Sequence, residues 1–198
     1  MSQIRKLNLA VINKISAGEI IENPSSVIKE LLENSLDAGS NQISVEVSQA
    51  GISNITITDN GTGIPKNQLD LAFERYSTSK LQEFEDLLEI ASLGFRGEAL
   101  ASIASVANVT MQSKPENQVQ GGKITIKAGE KKALESIASQ TGTKISVSNL
   151  FFNTPVRLKF LKSLNSELRR ITQTIITYCL AYPEIGFGFS ADGEKKNK

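Results

Sequence analysis

Two alternating stretches, "QISVEVSQAG" (42–51) and "ISNITITDNG" (52–61), follow one another with Gly51 at the join. Each puts an apolar residue at every second position, the period of a strand with one buried face. Joined through a glycine, they read as an antiparallel hairpin, and that commits this part of the chain to a sheet.

The elements around the hairpin follow from their own signals. A short N-terminal arm carries a helical turn around 9–17. Asn23-Pro24 then opens a helix, with Asn at the N-cap and Pro in the first turn, and Gly39 closes it. Downstream, "PKNQLDLAFERY" (65–76) reads as helix, and "STSKLQEFEDLLEI" (77–90) as a loop running into a short helix. "SLGFRGEALASIASVA" (92–107) is a glycine-bearing loop feeding a helix of small residues. "NVTMQSK", "GGKITIKAG" and "GTKISVSNLF" are strands, and "RLKFLKSLNSELRRITQTIITYCLAYP" (157–183) is one long helix ended by Pro183. "GFGFSADG" is a last strand before the charged tail "EKKNK". Helices and mainly antiparallel strands mix without a βαβ rhythm. The expected fold class is therefore α+β, a mixed, mainly antiparallel sheet covered on one face by helices.

The helix from 24 to 37 has a polar stripe that a solvated helix does not need. Glu30, Asn34 and Asp37 fall within roughly 60° of each other, with Glu33 beside them, while Val27, Ile28, Leu31, Leu32 and Leu36 supply the core side. Glu33 and Asp37 are like charges one turn apart, a mildly unfavourable pair on an open surface. An acidic surface stripe is the plain reading; a cation or a nucleotide–metal complex above it is the sharper one.

Two glycine stretches accompany that helix. In "TDNGTGIP", Asp59 sits at a strand end, and Gly61 and Gly63 let the backbone turn and approach a ligand. In "GFRGEALAS", Gly94 and Gly97 flank Phe95-Arg96 directly before a helix, an arrangement whose free N–H groups and dipole favour an anion. "TSK" (78–80) adds two hydroxyls and an ammonium. There is no GxxxxGK[ST], so a P-loop is excluded.

Composition narrows the chemistry. The chain has no histidine and a single cysteine, Cys179. That removes Ser-His-Asp and Cys-His catalysis and any Cys/His zinc site, and leaves acid–base work to carboxylates, lysine, tyrosine or the cysteine. One cysteine forms no internal disulfide, as expected of a reducing, intracellular setting. No apolar run approaches the roughly 20 residues that span a bilayer, and the N-terminus does not read as a secretory signal. Charge is uneven: from Lys144 onward nine Lys/Arg stand against four Asp/Glu, and before it thirteen against seventeen. The basic end reads as a solvated face or as a nucleic-acid contact.

Taken in order, "ISAGEIIENPSSVIKELLENSLDAGS", "DNGTGI", "TSK", "GFRGEALASI", "TGT" (141–143) and "NLFFNTPVRLKFL" resemble the N-terminal ATPase domain of MutL-type DNA mismatch repair proteins. That family lies within the wider GHKL (Bergerat-fold) group of gyrase, heat-shock chaperone, histidine kinase and MutL ATPases. "DNG" and "TGT" are shared across the group, whereas "GFRGEALASI" and "NLFFNTPVR" point to MutL.

The resemblance implies ATP and Mg²⁺ as cofactors. Glu30 would be the general base toward water, Asn34 the Mg²⁺ ligand, and Asp59 the acceptor for the adenine amino group. Gly61, Gly63 and Thr143 would line the adenine pocket, and Thr78, Ser79 and Lys80 would approach ribose and phosphates. Gly94, Phe95, Arg96, Gly97, Glu98, Ala99 and Leu100 would belong to a lid over the triphosphate. Asp37 would support the site through hydrogen bonds, and Glu33 is expected to be simply solvated.

At the level of the whole protein, the resemblance implies an arm over 1–20 that takes part in ATP-dependent dimerisation with itself or a paralogue. An ATPase domain would occupy 21–198, with the second and C-terminal domains of such proteins lying outside this chain. Arg157, Lys159, Lys162, Arg169 and Arg170 are the candidates for sequence-blind contact with DNA phosphates. A MutS-type mismatch-recognition protein would be a further partner. The protein would be cytoplasmic in a bacterium and nuclear in a eukaryote. The alternatives weighed are another GHKL machine, chaperone- or topoisomerase-like, and a nucleotide-blind scaffold of the same fold. Tyr76-Ser77 before "TSK" departs from a common family pattern and carries no implied change.

Overall fold

The computed structural model describes residues 17–78 and 97–195 together with residues 5, 8, 12, 93 and 94. Helix α1 (Pro24–Asp37) begins at the expected cap: the Asn23 side chain accepts the Ser26 N–H at 3.1 Å, and Pro24 occupies the first turn. It ends as expected at Gly39, whose φ of +70° lies in the left-handed region that glycine enters without cost. The hairpin also forms, as β1 (Gln42–Ser48) and β2 (Asn54–Asp59), paired antiparallel with Val45 opposite Ile57.

The remaining strands are β3 (Asn108–Lys114), β4 (Gly121–Lys127), β5 (Glu130–Ile137), β6 (Gly142–Ser148), β7 (Gly186–Ala191) and β8 (Glu194–Lys195). Among the described residues they form one eight-stranded sheet in the order β5-β4-β3-β6-β2-β1-β7-β8. Every pairing is antiparallel except β1 with β7. Register carries an apolar row across seven strands: Leu134, Ile124, Met111, Ile145, Ile57, Val45 and Phe189. A row on one face of a pleated sheet must be covered. Here α1, α2 (Ala99–Val106) and α4 (Leu164–Ala181) cover it, burying Ile28, Leu32, Ile103, Ile171 and Ile175 in one continuous core.

Three sequence expectations are corrected. The strand β5 was not anticipated. Its sequence, "EKKALESI", lacks strict alternation because it is an edge strand with most side chains in solvent. The long helix from 157 is two helices, α3 (Pro155–Phe160) and α4, because Leu161 and Ser163 are extended and Ser163 caps α4 by accepting the Ser166 N–H. The stretch 65–76 forms two single 3₁₀ turns, Lys66–Gln68 and Leu71–Phe73, rather than an α-helix. The helical turn expected around 9–17 falls mostly outside the described residues, although 17–20 are helical. The short helix expected within 77–90 lies outside them altogether.

The "NLFFNTPVR" stretch closes the core from below. Phe151 is fully buried and its N–H bonds the Val106 carbonyl at 2.8 Å, while the Asn153 side chain donates to the Ser105 carbonyl at 2.8 Å. This stretch therefore locks the C-terminal end of α2.

Candidate functional site

The apolar row of the sheet gives way to a polar one at its end. Two residues beyond Ile57, Ile145 and Met111 on the same face stand Asp59, Thr143 and Ser113, paired side by side in register. Asp59 Oδ1 accepts the backbone N–H of Gly61 at 2.9 Å and of Thr143 at 3.3 Å, and Oδ2 accepts the Ser35 hydroxyl at 2.9 Å. Burial pushes the Asp59 carboxyl above its ordinary pKa, and the hydrogen bonds from Gly61, Ser35, Thr143 and Ser40 pull the other way.

Behind this carboxyl, the fully buried Ser113 hydroxyl accepts the Ile64 N–H at 2.7 Å and lies 3.1 Å from the Gly142 carbonyl and 2.8 Å from the Thr143 hydroxyl. A serine has one proton to give. With that proton on the Gly142 carbonyl, the Thr143 hydroxyl donates to Ser113, and the orientation of Thr143 is set. Ser35 and Ser113 were not singled out from the sequence. Ser113 had a signal, since it continues the inward parity of Val109 and Met111 with a polar residue.

The first glycine turn is pressed onto α1. The Thr62 N–H bonds the Ala38 carbonyl at 3.0 Å, and a Cβ on Gly61 would lie 2.7 Å from both the Ala38 Cβ and the Ser40 Oγ. Gly63 has φ +69°, and a Cβ there would stand 2.3 Å from the Lys114 carbonyl oxygen. The second glycine stretch is tied to the same helix. Asp37 accepts the N–H groups of Leu93 at 3.0 Å and Gly94 at 3.1 Å. The end of α1 thus touches both glycine stretches.

The segments on either side of 79–96 are joined to each other. The Tyr76 N–H bonds the Gly97 carbonyl at 3.0 Å, and Arg75 lies 3.8 Å from the Glu98 carboxylate. The Glu98 side chain gives α2 no cap, and Ala99 and Leu100 form its first turn. Thr78 is half-buried. Ser79, Lys80, Phe95 and Arg96 lie outside the described residues.

On α1, Glu30 and Asn34 are half-buried and one turn apart. Glu33 differs from expectation: it is buried rather than solvated. Its Oε1 accepts the Tyr178 hydroxyl of α4 at 2.7 Å, and Lys29 Nζ lies 3.1 Å away. Lys29 also lies 3.6 Å from Glu30. Burial lowers the Lys29 pKa, but Glu33 and Glu30 together outweigh it and leave the ammonium above its ordinary value. Burial first, then the two carboxylates, push the Tyr178 phenol far up, so it stays a donor. Asp37 has its charge on backbone N–H groups, so the unfavourable Glu33–Asp37 spacing is relieved from two directions.

Among the described residues no group of three or more Asp, Glu, Cys or His could hold a metal by itself. Glu30 and Asn34 still offer hard oxygen donors on one stripe. That fits Mg²⁺, which takes one or two protein oxygens and completes its shell with waters and substrate phosphates. Two surface hollows lie elsewhere, one along α4 beside Arg169 and Gln173 and one between Ser26, Lys29 and Arg170. Neither is lined by Asp59 or a glycine turn.

Of the basic candidates, Lys159, Lys162, Arg169 and Arg170 are exposed. Arg170 is 3.8 Å from Glu167. The half-buried Arg157 is packed against Gly18, where a Cβ would come within 1.9 Å of its guanidinium. No described helix is long and apolar enough to cross a membrane.

Residues 21–153 match the model of the histidine kinase-, DNA gyrase B- and HSP90-like ATPase family, to which the chain belongs. It is 49% identical over 98% of its length to the DNA mismatch repair protein MutL of Lactococcus lactis subsp. cremoris, and 48% identical over 98% to that of Lactobacillus helveticus. Within the family the chain is thus of the MutL type. It spans 30% of the length of those relatives. The fold matches the Aquifex aeolicus MutL ATPase domain complexed with ADP at TM-score 0.71, with 34% identity over 90% of this chain and 64% of that one. It matches the N-terminal domain of a DNA repair protein at TM-score 0.78, with 27% identity over 93% of this chain and 54% of that one.

Proposed function

We propose that the chain binds ATP with Mg²⁺ over the Asp59 cluster, hydrolyses it, and serves as the ATP-gated module of a DNA mismatch repair protein. The observation that carries this reading is the Asp59 cluster itself. A buried carboxylate, held by Gly61, Ser35 and Thr143 at the end of an apolar row, is an acceptor suited to the amino group of adenine. Guanine offers a carbonyl at that place and would meet a lone pair. Gly61, Gly63 and Thr143 line the base, and Thr78, Ser79 and Lys80 approach ribose and phosphates.

Gly94, Phe95, Arg96, Gly97, Glu98, Ala99 and Leu100 belong to a lid over the triphosphate that offers backbone N–H groups to the anion. Glu30 orients and deprotonates water, the role that phosphoryl transfer most needs from a protein. Asn34 holds Mg²⁺, which neutralises phosphate charge when bound.

At the level of the whole protein, residues 1–20 act as a dimerisation arm and 21–198 as the ATPase domain. ATP closes two such modules, identical or paralogous, into a clamp on DNA that works with a MutS-type protein. Contact with DNA is through phosphates. In a bacterium, the source of the relatives named above, this takes place in the cytoplasm.

Calorimetry with ATP and GTP in Mg²⁺, on the wild type and on Glu30→Ala, tests the site. ATP should bind to both proteins, GTP to neither, and hydrolysis should fail only in the variant. Equal binding of GTP would overturn the reading.

A further inference from the structure

We infer that Lys29, fastened by Glu33 and Tyr178, is a positioning residue for Glu30. The inference rests on Glu30 acting as the base. Three contacts carry it. Tyr178 of α4 donates to Glu33 at 2.7 Å, Lys29 lies 3.1 Å from the same carboxylate, and Lys29 then reaches Glu30 at 3.6 Å. An ion pair between two free surface side chains fixes little, because both partners wander. This one is different at its far end. Glu33 is buried, and Tyr178 is itself held by stacking on Tyr182, with ring centroids 6.3 Å apart. The half-exposed ammonium therefore bridges an anchored carboxylate and the largely covered Glu30 carboxylate that must meet water.

The consequence is directional. Glu30 loses rotamers that swing its carboxylate outward, and the second helix, α4, takes part in fixing the attack geometry from behind α1. Burial of Glu33 by itself calls for partners; what points beyond that need is that the Lys29 ammonium, once on Glu33, lies 3.6 Å from Glu30 as well. Misplacing a reacting group by about 1 Å costs on the order of a hundredfold in rate. Freeing Glu30 without removing it should cost somewhat less.

The test is single-turnover ATP hydrolysis by the chain with protein in excess, which reads slow rates, beside nucleotide Kd and thermal unfolding. Lys29→Met should lower the rate by roughly tenfold with Kd unchanged and Tm lowered by the loss of a partner for the buried Glu33, and Lys29→Arg should restore the rate. Tyr178→Phe should lower the rate as well, and should add nothing in the Lys29→Met background, since both act through one strut. Should Lys29→Met unfold, Tyr178→Phe paired with Lys29→Arg carries the test. Wild-type rates in Lys29→Met and Tyr178→Phe, with Glu30→Gln inactive, would overturn the inference and leave the base assignment standing. A wild-type rate in Glu30→Gln would remove the base assignment and the inference with it.

Discussion

Ser35 of α1 donates a 2.9 Å hydrogen bond to Asp59 at the end of β2, linking the helix that carries Glu30 and Asn34 to the carboxylate proposed to read the base. The two halves of the site are thereby joined through one hydroxyl.

Asp59→Asn separates recognition from stability. The amide oxygen keeps the Gly61 and Thr143 N–H bonds, and Ser35 can reverse its hydroxyl to accept from the new amide. Nucleotide affinity should fall by about 2 kcal/mol, roughly thirtyfold in Kd, as a charged acceptor is lost. The folded carboxyl holds its proton to higher pH than the unfolded chain, so the native state binds more protons in that window. Stability therefore falls as pH rises from the ordinary value of 3.8 through the raised folded value. Urea titrations across that window should show the decline in wild type and its absence in the variant.

Gly63→Ala tests the turn against α1 and β3. Its φ of +69° strains any other residue, and the Cβ would stand 2.3 Å from the Lys114 carbonyl, which is backbone and cannot swing away. A loss of about 2 kcal/mol or more is expected, read as a Tm lowered by roughly 5 °C or more.

Asp37→Asn weakens the tie to the second glycine stretch. Only one amide oxygen remains for the two N–H groups of Leu93 and Gly94. Losing a charged acceptor costs about 1.5–3 kcal/mol, so amide exchange at those two residues should accelerate roughly tenfold or more while exchange in β2 is unchanged.

The basic residues should divide into two kinds. Substituting Lys159, Lys162, Arg169 or Arg170 by alanine should weaken DNA binding equally for all sequences and reduce the salt slope by about one each, with Tm unaffected. Arg157→Ala should instead lower Tm, because its guanidinium is packed against Gly18.

What the sequence made legible was local. The cap of α1, its end at Gly39 and the β1–β2 hairpin rest on residues next to one another, and all formed where their signals lie. The break between α3 and α4 did have a signal, since Ser163 caps Ser166, but the apolar period runs through Leu158, Leu161 and Leu164 and hides it. β5 was illegible because most of this edge strand lies in solvent and a register shift against β4 breaks its alternation, leaving Leu134 alone to mark the core side. Glu33 was misjudged for a different reason. Its partner, Tyr178, is 145 residues away, and no spacing within α1 reports it. The candidate site divides in the same way: Asp59 and both glycine stretches stood out as motifs, whereas Ser35 and Ser113 matter only through strands and helices that meet in space.

The row that begins as Ile57, Ile145 and Met111 and ends as Asp59, Thr143 and Ser113 has an evolutionary corollary. Ligand choice in many folds resides in loops that can be exchanged while the scaffold persists. Here Asp59 and Thr143, proposed to face the base, stand two positions along the same strands from Ile57 and Ile145 of the core, so exchanging a loop would leave them in place. A change of nucleobase would have to come from side chains of the sheet itself, substituted beside the core that the same strands build.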